Sequence, residues 1–582
     1  MISGSPLLTA SLVLALCFAG CEKKTEAPAA EPPAAEPPVK EPPAEQPTEQ
    51  AAAAKAVQAG DATAEKRTYK PIPSFVPTPE TIDSKIGRLE FPGGYPSDET
   101  AQKLADEMLY VHGVSAYTNT IQGASLWAIR KGFADIGVKD NEFIVSPEMM
   151  DGRALFLTAN MDTYYFWSNI NLKDGPIVVE TPPGVLGIFD DFWFRWISDF
   201  GLPGPDRGKG GRYLLVPPGY TGELPEGGYF INHSRTNLVT MIGRMFLEGN
   251  STEISEKVVK ENLKVYPYAE GGEGTSIGSY LQGGARLGKM AEPKAPRMVD
   301  VSGISINTLP PADFGHFEYV NALVQSEPAS ALDPEIAGQL AAIGIVKGKP
   351  FKPDAKTRAI LEKSVQVANA ASRTAASGAM PNYGFRYYGE KSAWWNPLFD
   401  GGYQFMTPPP EIAADGAVKP YPSDGARKLA ARTSFFYLAT GITPAMVMRL
   451  TNIGSQYIVA SVDADGNPLD GAKTYKLVLP RNPPHARFWS TTVYDNQTRS
   501  IIQTDQRYPR AGSQSYPSPA AEAAGNGTIT LYFGPDKPNG VAEGNFVKTI
   551  PGRGWFQILR FYSPTKPFFD KSWQPGEVEL VN

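Results

Sequence analysis

The chain has 582 residues, 42% of them hydrophobic and 20% charged, and carries a formal net charge of −6. Its 55 basic residues form no long run, which argues against nucleic acid, because displacing counterions takes a basic stripe. The 4 histidines are far apart and both cysteines, Cys17 and Cys21, lie close to the start, so neither a zinc-ligand spacing nor a disulfide framework is present; no metal and no cofactor is expected.

An apolar stretch over 7–16 leads into Phe18-Ala19-Gly20-Cys21. That order predicts a lipoprotein export signal over 1–20, although Met1 to Thr9 contains no Lys or Arg. Cys21 is the expected lipidation site, and several acyl chains there would anchor the protein stably. Residues 21–68 are rich in Ala, Pro and Glu and nearly free of large apolar side chains, the composition of a disordered tether. Polyproline II geometry at ~3.1 Å per residue would let it reach roughly 150 Å. The expected location is the bacterial cell envelope, lipid-anchored. Glu22 after the cysteine favours the outer membrane, facing the periplasm or the surface.

In the body, 57 Gly, 54 Pro, 26 Tyr and 28 Phe point to many short strands and long loops. Residues 98–133 read as a helix, with Leu104, Met108, Val111 and Ser115 as its apolar stripe and His112 packed beside it. From 143 to 231, short apolar runs alternate with turn signals such as Pro182-Pro183-Gly184, the pattern of a β-sandwich. Residues 238–247 predict a short buried helix begun by Thr236-Asn237. Helices return over 313–378, the last one capped by Asp354. Residues 380–425 read as an aromatic loop region. From Gln456 strands persist to the end, 457–462 and 475–479 forming a candidate hairpin around Asp465-Gly466-Asn467-Pro468. The body therefore divides into 69–270, 271–450 and 451–582.

Two blocks carry a resemblance. The first runs from Asn160-Met161-Asp162-Thr163-Tyr164-Tyr165 through Gly210-Gly211-Arg212-Tyr213 to Thr236-Asn237 and Gly243-Arg244. The second runs from Phe488-Trp489-Ser490-Thr491-Thr492-Val493-Tyr494-Asp495 to Leu559-Arg560-Phe561-Tyr562-Ser563-Pro564 and Trp573-Gln574-Pro575. Together they resemble the paired bacterial domain-of-unknown-function families 1254 and 1214. The resemblance implies an α+β, β-rich fold of two jelly-roll-like antiparallel β-sandwich domains with helical insertions, and brings no reaction with it. Asn526-Gly527-Thr528 stands where Asp-Gly-Ser is usual, and Asn545-Phe546 where Asn-Trp is.

Three groups of side chains could carry chemistry. Asp162, at a strand end beside Asn160 and Tyr164, could act as a general base or hold a hydroxyl; it could equally be a turn aspartate bonded to its own backbone. Asp191, with Trp193 and Arg195, is a second candidate base, or half of a buried ion pair. Arg487, Trp489, Tyr494, Arg560 and Tyr562 could bind an anion, since a guanidinium beside an aromatic plane offers a planar fork to two oxygens; structural stacking is the alternative. Asp463, Asp465, Asn467 and Asp470 mimic a calcium loop, but Pro468 and Thr474 occupy the positions that need Gly and Glu. The leading expectation is a tethered protein that binds or processes a glycan or envelope polymer. The alternatives are a periplasmic enzyme for a small, partly apolar or anionic molecule, and a non-catalytic assembly protein.

Overall fold

The computed structural model describes residues 70–269, 281–283, 292–377, 386–408, 411–412, 418–419, 422–423, 425–448 and 450–581. The expected signal, Cys21 and the tether lie outside these residues. Residues 77–582 form one unit.

A hairpin of β1 (Thr81–Ser84) and β2 (Gly87–Glu90) precedes α1 (Asp98–Asp135). Ser97 caps this helix by accepting the Thr100 N–H, and Asp98 and Glu99 sit at its positive end. Its buried face is the second half, from Ala116 to Phe133; the predicted stripe is not the core face, since Met108 and Val111 are exposed.

The first sandwich takes β3 (Phe143–Val145), β4 (Ala154–Leu155), β5 (Thr163–Asn171), β6 (Ile177–Glu180), β7 (Val185–Asp191), β8 (Trp196–Gly201), β9 (Arg212–Val216), β10 (Phe230–His233) and β11 (Leu238–Phe246). It continues with α2 (Glu253–Asn262), β12 (Lys264–Pro267), β13 (Met298–Asp300) and β14 (Ile306–Asn307). A sheet ordered β13-β3-β5-β11-β7-β8 packs on one ordered β10-β9-β6-β12, around Phe166, Phe189, Phe200 and Tyr213. The helix expected at 238–247 is β11, a central strand between β5 and β7. Val239 and Met241 enter the sandwich core, while Ile242 and Arg244 face the opposite side. A sheet covered on both faces loses the polar–apolar alternation, and a short apolar run then reads equally well as buried helix.

Next come α3 (Gly315–Ser326), α4 (Pro334–Ala342), α5 (Ala355–Ala376), α6 (Leu398–Gly401), β15 (Glu411–Ile412), β16 (Val418–Lys419) and α7 (Leu429–Leu438). Asp354 caps α5 as expected, accepting from the Thr357 N–H at 2.7 Å. Helices α3, α4, α5 and α7 pack on α1, so the connecting segment forms one helical layer with the start of the body.

The second sandwich holds β17 (Ser455–Ala460), β18 (Tyr475–Leu479), β19 (His485–Asp495), β20 (Arg510–Gly512), β21 (Ile529–Gly534), β22 (Phe546–Lys548), β23 (Trp555–Pro564), α8 (Lys566–Phe569) and β24 (Val578–Leu580). Its sheets are β17-β23-β19-β20 and β22-β21-β18-β24. The expected hairpin is corrected here. The Asp463 carboxylate does close a turn on the N–H groups of Asp465 and Asn467. The chain then crosses between sheets, burying Leu469 on the way, so β17 pairs with β23 and β18 with β21 and β24. The strands are also not all antiparallel: β3/β13, β4/β14, β9/β10 and β21/β22 run parallel. The fold is β-rich α+β. No helix among the described residues is long and apolar enough to cross a membrane.

Candidate functional site

The outer face of β5-β11-β7-β8 turns toward the outer face of β17-β23-β19-β20. Where they meet, Leu186, Phe246, Phe488 and Tyr562 form a small apolar plug. Beside it a fully buried carboxylate ties the two sandwiches together. Asp162 Oδ2 accepts from Ser490 Oγ at 2.6 Å and from the Tyr562 hydroxyl at 3.0 Å. Its Oδ1 lies 2.8 Å from Nε of Arg510, an ion pair without hydrogen-bond alignment, with both side chains out of solvent. Asn160 Oδ1 accepts the Asp162 N–H and the Thr163 hydroxyl, which fixes the approach to β5.

Next to this seam lies a cavity of about 190 Å³. Its wall is mainly apolar, with Trp167, Ile188, Ile242, Phe435, Leu438 and Ile558 prominent. One end is polar and built symmetrically. Tyr165 and Arg244 are cross-strand partners in the first sandwich, and Tyr457 and Arg560 are cross-strand partners in the second. Each sheet thus contributes one arginine and one tyrosine from directly opposed positions.

The hydrogen bonds at this end leave donors in surplus. Asn160 Nδ2 donates to the Tyr165 hydroxyl at 2.6 Å, and Arg244 Nη2 donates to the Tyr457 hydroxyl at 3.0 Å and to Ser455 Oγ at 3.2 Å. Both phenol oxygens therefore accept an N–H, so each hydroxyl proton can turn toward a further acceptor. Arg560 is 3% exposed; its Nη2 donates to the Thr158 carbonyl at 2.9 Å, and its buried Nη1 has no hydrogen-bond partner among the described residues. Burial alone would raise the Tyr457 phenol, but the Arg244 charge and hydrogen bond, with Ser455 and Arg560, bring it below its ordinary value. Tyr165 stays above its ordinary value because burial outweighs the nearby arginines. Two guanidiniums and two phenol hydroxyls lining one small space suit an oxyanion. Tyr457 is the group there best suited to exchange a proton with it.

The other end is acidic. Asp199, 7% exposed, lines the cavity and accepts from the Thr443 hydroxyl. Burial pushes its carboxyl up to about 7, against the hydrogen bonds from Thr443 and Trp196. Asp190 lies deeper. Its Oδ2 accepts the Ile442 N–H at 2.9 Å, its Oδ1 has no hydrogen-bond partner among the described residues, and burial holds it well above the carboxylate range. These two acids hold the loop 439–446 over the sheet. At Gly441 (φ +76°) that loop passes so close that a Cβ would fall 2.9 Å from Ile188 Cδ1. Among the described residues no group of three or more His, Cys, Asp and Glu side chains is placed to hold a metal ion.

The residues expected from sequence are distributed between the cavity, the seam and the cores. Asn160 and Arg560 line the cavity. Tyr494 lies under Arg560, its ring centre 5.5 Å from the guanidinium and its hydroxyl donating to the Ala159 carbonyl. Asp162 and Tyr562 belong to the seam; neither reaches the cavity wall. Both Asp191 oxygens are taken by its own turn, Oδ1 by the N–H groups of Trp193 and Arg195 and Oδ2 by Arg195 Nε at 2.6 Å. Neither carboxylate lines the cavity, and each is paired with an arginine, Asp162 with Arg510 and Asp191 with Arg195, so neither is placed to act as a base on a molecule held there. Trp193 packs against α1 at Gly123, and Tyr164 lies in the first sandwich core. Trp489 is in the second sandwich core, while Arg487 is exposed with its guanidinium 4.5 Å from the Phe246 ring. An irregular register between His485 and Phe488 breaks the parity that would set Arg487 and Trp489 on one face. Sequence reasoning did not single out Tyr165, Arg244, Tyr457 or Asp199. Tyr165 and Arg244 stood in the motif blocks, and reading β11 as a strand would have paired them.

The geometry defines a β-rich α+β protein of two sandwiches whose cavity is shared by both. Two family models match the chain in order, protein of unknown function DUF1254 over residues 141–267 and protein of unknown function DUF1214 over 454–566. The first segment supplies Asn160, Tyr165, Asp199 and Arg244, the second Ser455, Tyr457 and Arg560. No curated protein matches the chain. Among solved structures, the VPA0106 protein from Vibrio parahaemolyticus aligns at a TM-score of 0.44 and 18% identity, covering 82% of this chain and 100% of its own. An uncharacterized protein from Burkholderia cenocepacia aligns at 0.33 and 10% identity, covering 83% and 97% respectively.

Proposed function

We propose that this protein binds a small, largely apolar molecule bearing one oxyanion, a carboxylate above all, and does so in the bacterial envelope, held there through an acylated Cys21 and the tether of 21–68. The observation that carries the reading is the donor surplus at one end of an apolar cavity: Arg244, Arg560 Nη1 and the hydroxyl protons of Tyr165 and Tyr457, with no carboxylate in contact with Arg244 among the described residues. Size agrees with it. A cavity of about 150 Å³ already takes up benzene, whereas drug-sized sites run from about 300 to 1,000 Å³. Large aromatic side chains that a glycan platform would use are spent on packing: Trp394, Trp395, Trp489 and Trp555 are fully buried.

The test is a thermal-shift series on the purified protein with straight-chain and aromatic carboxylates, each beside its neutral amide. A ligand at a hundred-fold excess over its Kd adds about 2.7 kcal/mol of stability, so a matching carboxylate should raise Tm clearly and its amide much less. Tyr457→Phe, which keeps the ring and removes one hydrogen bond to the anion, should weaken binding about ten-fold. Amides that shift Tm as far as their acids would refute the oxyanion site.

A further inference from the structure

Asp199 sits on the same sheet face as Arg244, two strands across and offset along the chain, because Ile188 pairs with both Ile242 and Asp199 while Arg244 pairs with Leu186. Strand spacing and rise put the two Cα atoms about 12 Å apart. Among the described residues no cation figures among the influences on the Asp199 carboxyl. The Thr443 hydroxyl oxygen accepts the Ala445 N–H at 3.1 Å, so its proton goes to Asp199 Oδ1. Trp196 also donates to this carboxyl, and the oxygen not bonded to Thr443, Oδ2, keeps lone-pair capacity to meet something in the cavity. A ligand with a purely apolar tail would strip that oxygen of water and return nothing, a cost of about 1–3 kcal/mol.

We propose that the ligand is bifunctional, its oxyanion between Arg244 and Arg560 and a hydroxyl at its far end against Asp199. The proposal rests on the oxyanion reading above and adds the second functional group. A hydroxyl fits better than an ammonium for two reasons. Desolvating a cation in an apolar cavity costs far more than desolvating an alcohol. A carboxyl raised to about 7 is also in large part neutral near neutral pH, able to donate one hydrogen bond and accept another.

The experiment is calorimetric titration of the full chain with ω-hydroxy acids. Each is set beside the straight-chain acid that has a methyl in place of the hydroxyl, at every length from butanoate to octanoate, and beside the ω-amino acid. At the best length the hydroxy acid should bind about five-fold tighter than its methyl counterpart, one neutral hydrogen bond's worth. Asp199→Ala, shown folded by its melting transition, should reverse that order. Equal or tighter binding of the methyl acid by the native protein overturns the proposal while leaving the oxyanion site standing. Tightest binding of the amino acid overturns it as well, since that would make Asp199 a counter-ion. If no acid of any length binds, the oxyanion reading itself fails.

Discussion

Asp162 and Arg560 are both buried ionisable side chains, yet they are held in different ways. Asp162 has two hydroxyl donors and an arginine; Arg560 keeps a free Nη1 beside an open space. The first arrangement is structural. Removing one member of a buried ion pair costs about 3–5 kcal/mol, because the partner stays buried and uncompensated. Asp162→Ala should therefore lower the unfolding free energy by about that much in urea denaturation, since Arg510 cannot reach solvent. Asp135→Ala, which breaks the exposed i,i+4 pair with Lys131, should cost under about 0.5 kcal/mol. A loss below about 1 kcal/mol for Asp162→Ala would mean that the seam does not hold the sandwiches together. At this scale the sequence named Asn160, Asp162, Tyr164 and Arg560 by type, but not their direction. Tyr164 and Tyr165 are neighbours that face opposite sides of β5, one into a core and one into the cavity. Composition treats them alike. The contacts that decide Asp162's role, Ser490 and Tyr562, are 328 and 400 residues away.

Elements were readable where one face meets water. Helix α5 has a capped start and a clear apolar stripe, so periodicity and Asp354 suffice to place it. Strand β11 has neither, because it is covered on both faces. The device that packs it there is also invisible in a pattern of apolar letters. Gly243 in β11 and Gly187 in β7 are cross-strand partners, and the space above them is filled by rings from the flanking strands, Phe166 over Gly243 and Phe200 over Gly187. A Cβ on Gly243 would stand 2.0 Å from the Phe166 ring. That ring cannot retreat easily, since Phe200 lies 6.3 Å away and itself packs on Phe189 and Tyr213. Gly243→Ala should thus destabilise by about 1–3 kcal/mol through overpacking. Gly338→Ala, inside α4 with open space around it, should stabilise by up to about 1 kcal/mol through helix propensity. Chemical denaturation of the two variants gives both signs. A neutral Gly243→Ala would show that the sheet can shift its rings aside.

For the whole molecule, the buried acids at the junctions set the pH dependence of stability. Asp190 and Asp199 join β7 and β8 to the loop over the cavity, while Glu327 joins the end of α3 to the start of β11 through the N–H groups of Asn237 and Leu238. Burial raises all three, Asp199 and Glu327 to about 7. Between their unfolded values near 4 and those folded values, the native state binds protons that the unfolded chain has lost, so stability falls as pH rises through this window. The buried His316 opposes the trend. Burial lowers it to about 3, so it favours folding above its ordinary value of 6.5 and loses that contribution as pH falls. Asp191, also raised by burial, adds to the acids and His485, also lowered by burial, to the imidazoles, and the four acids outweigh the two imidazoles. The protein should melt higher at about pH 5 than at about pH 8, and Asp199 alone should account for about 2–4 kcal/mol of the difference. Asp199→Asn, which keeps the acceptor for Thr443 but cannot ionise, should flatten its share of the slope without changing the side of pH 7 on which the protein is more stable. A melting temperature that rises from acid to neutral pH would mean that these carboxyls are ionised and solvated in the folded state. The acidic end of the cavity would then be open to water, and not the closed, hydrogen-bonding wall that recognition of a hydroxyl requires.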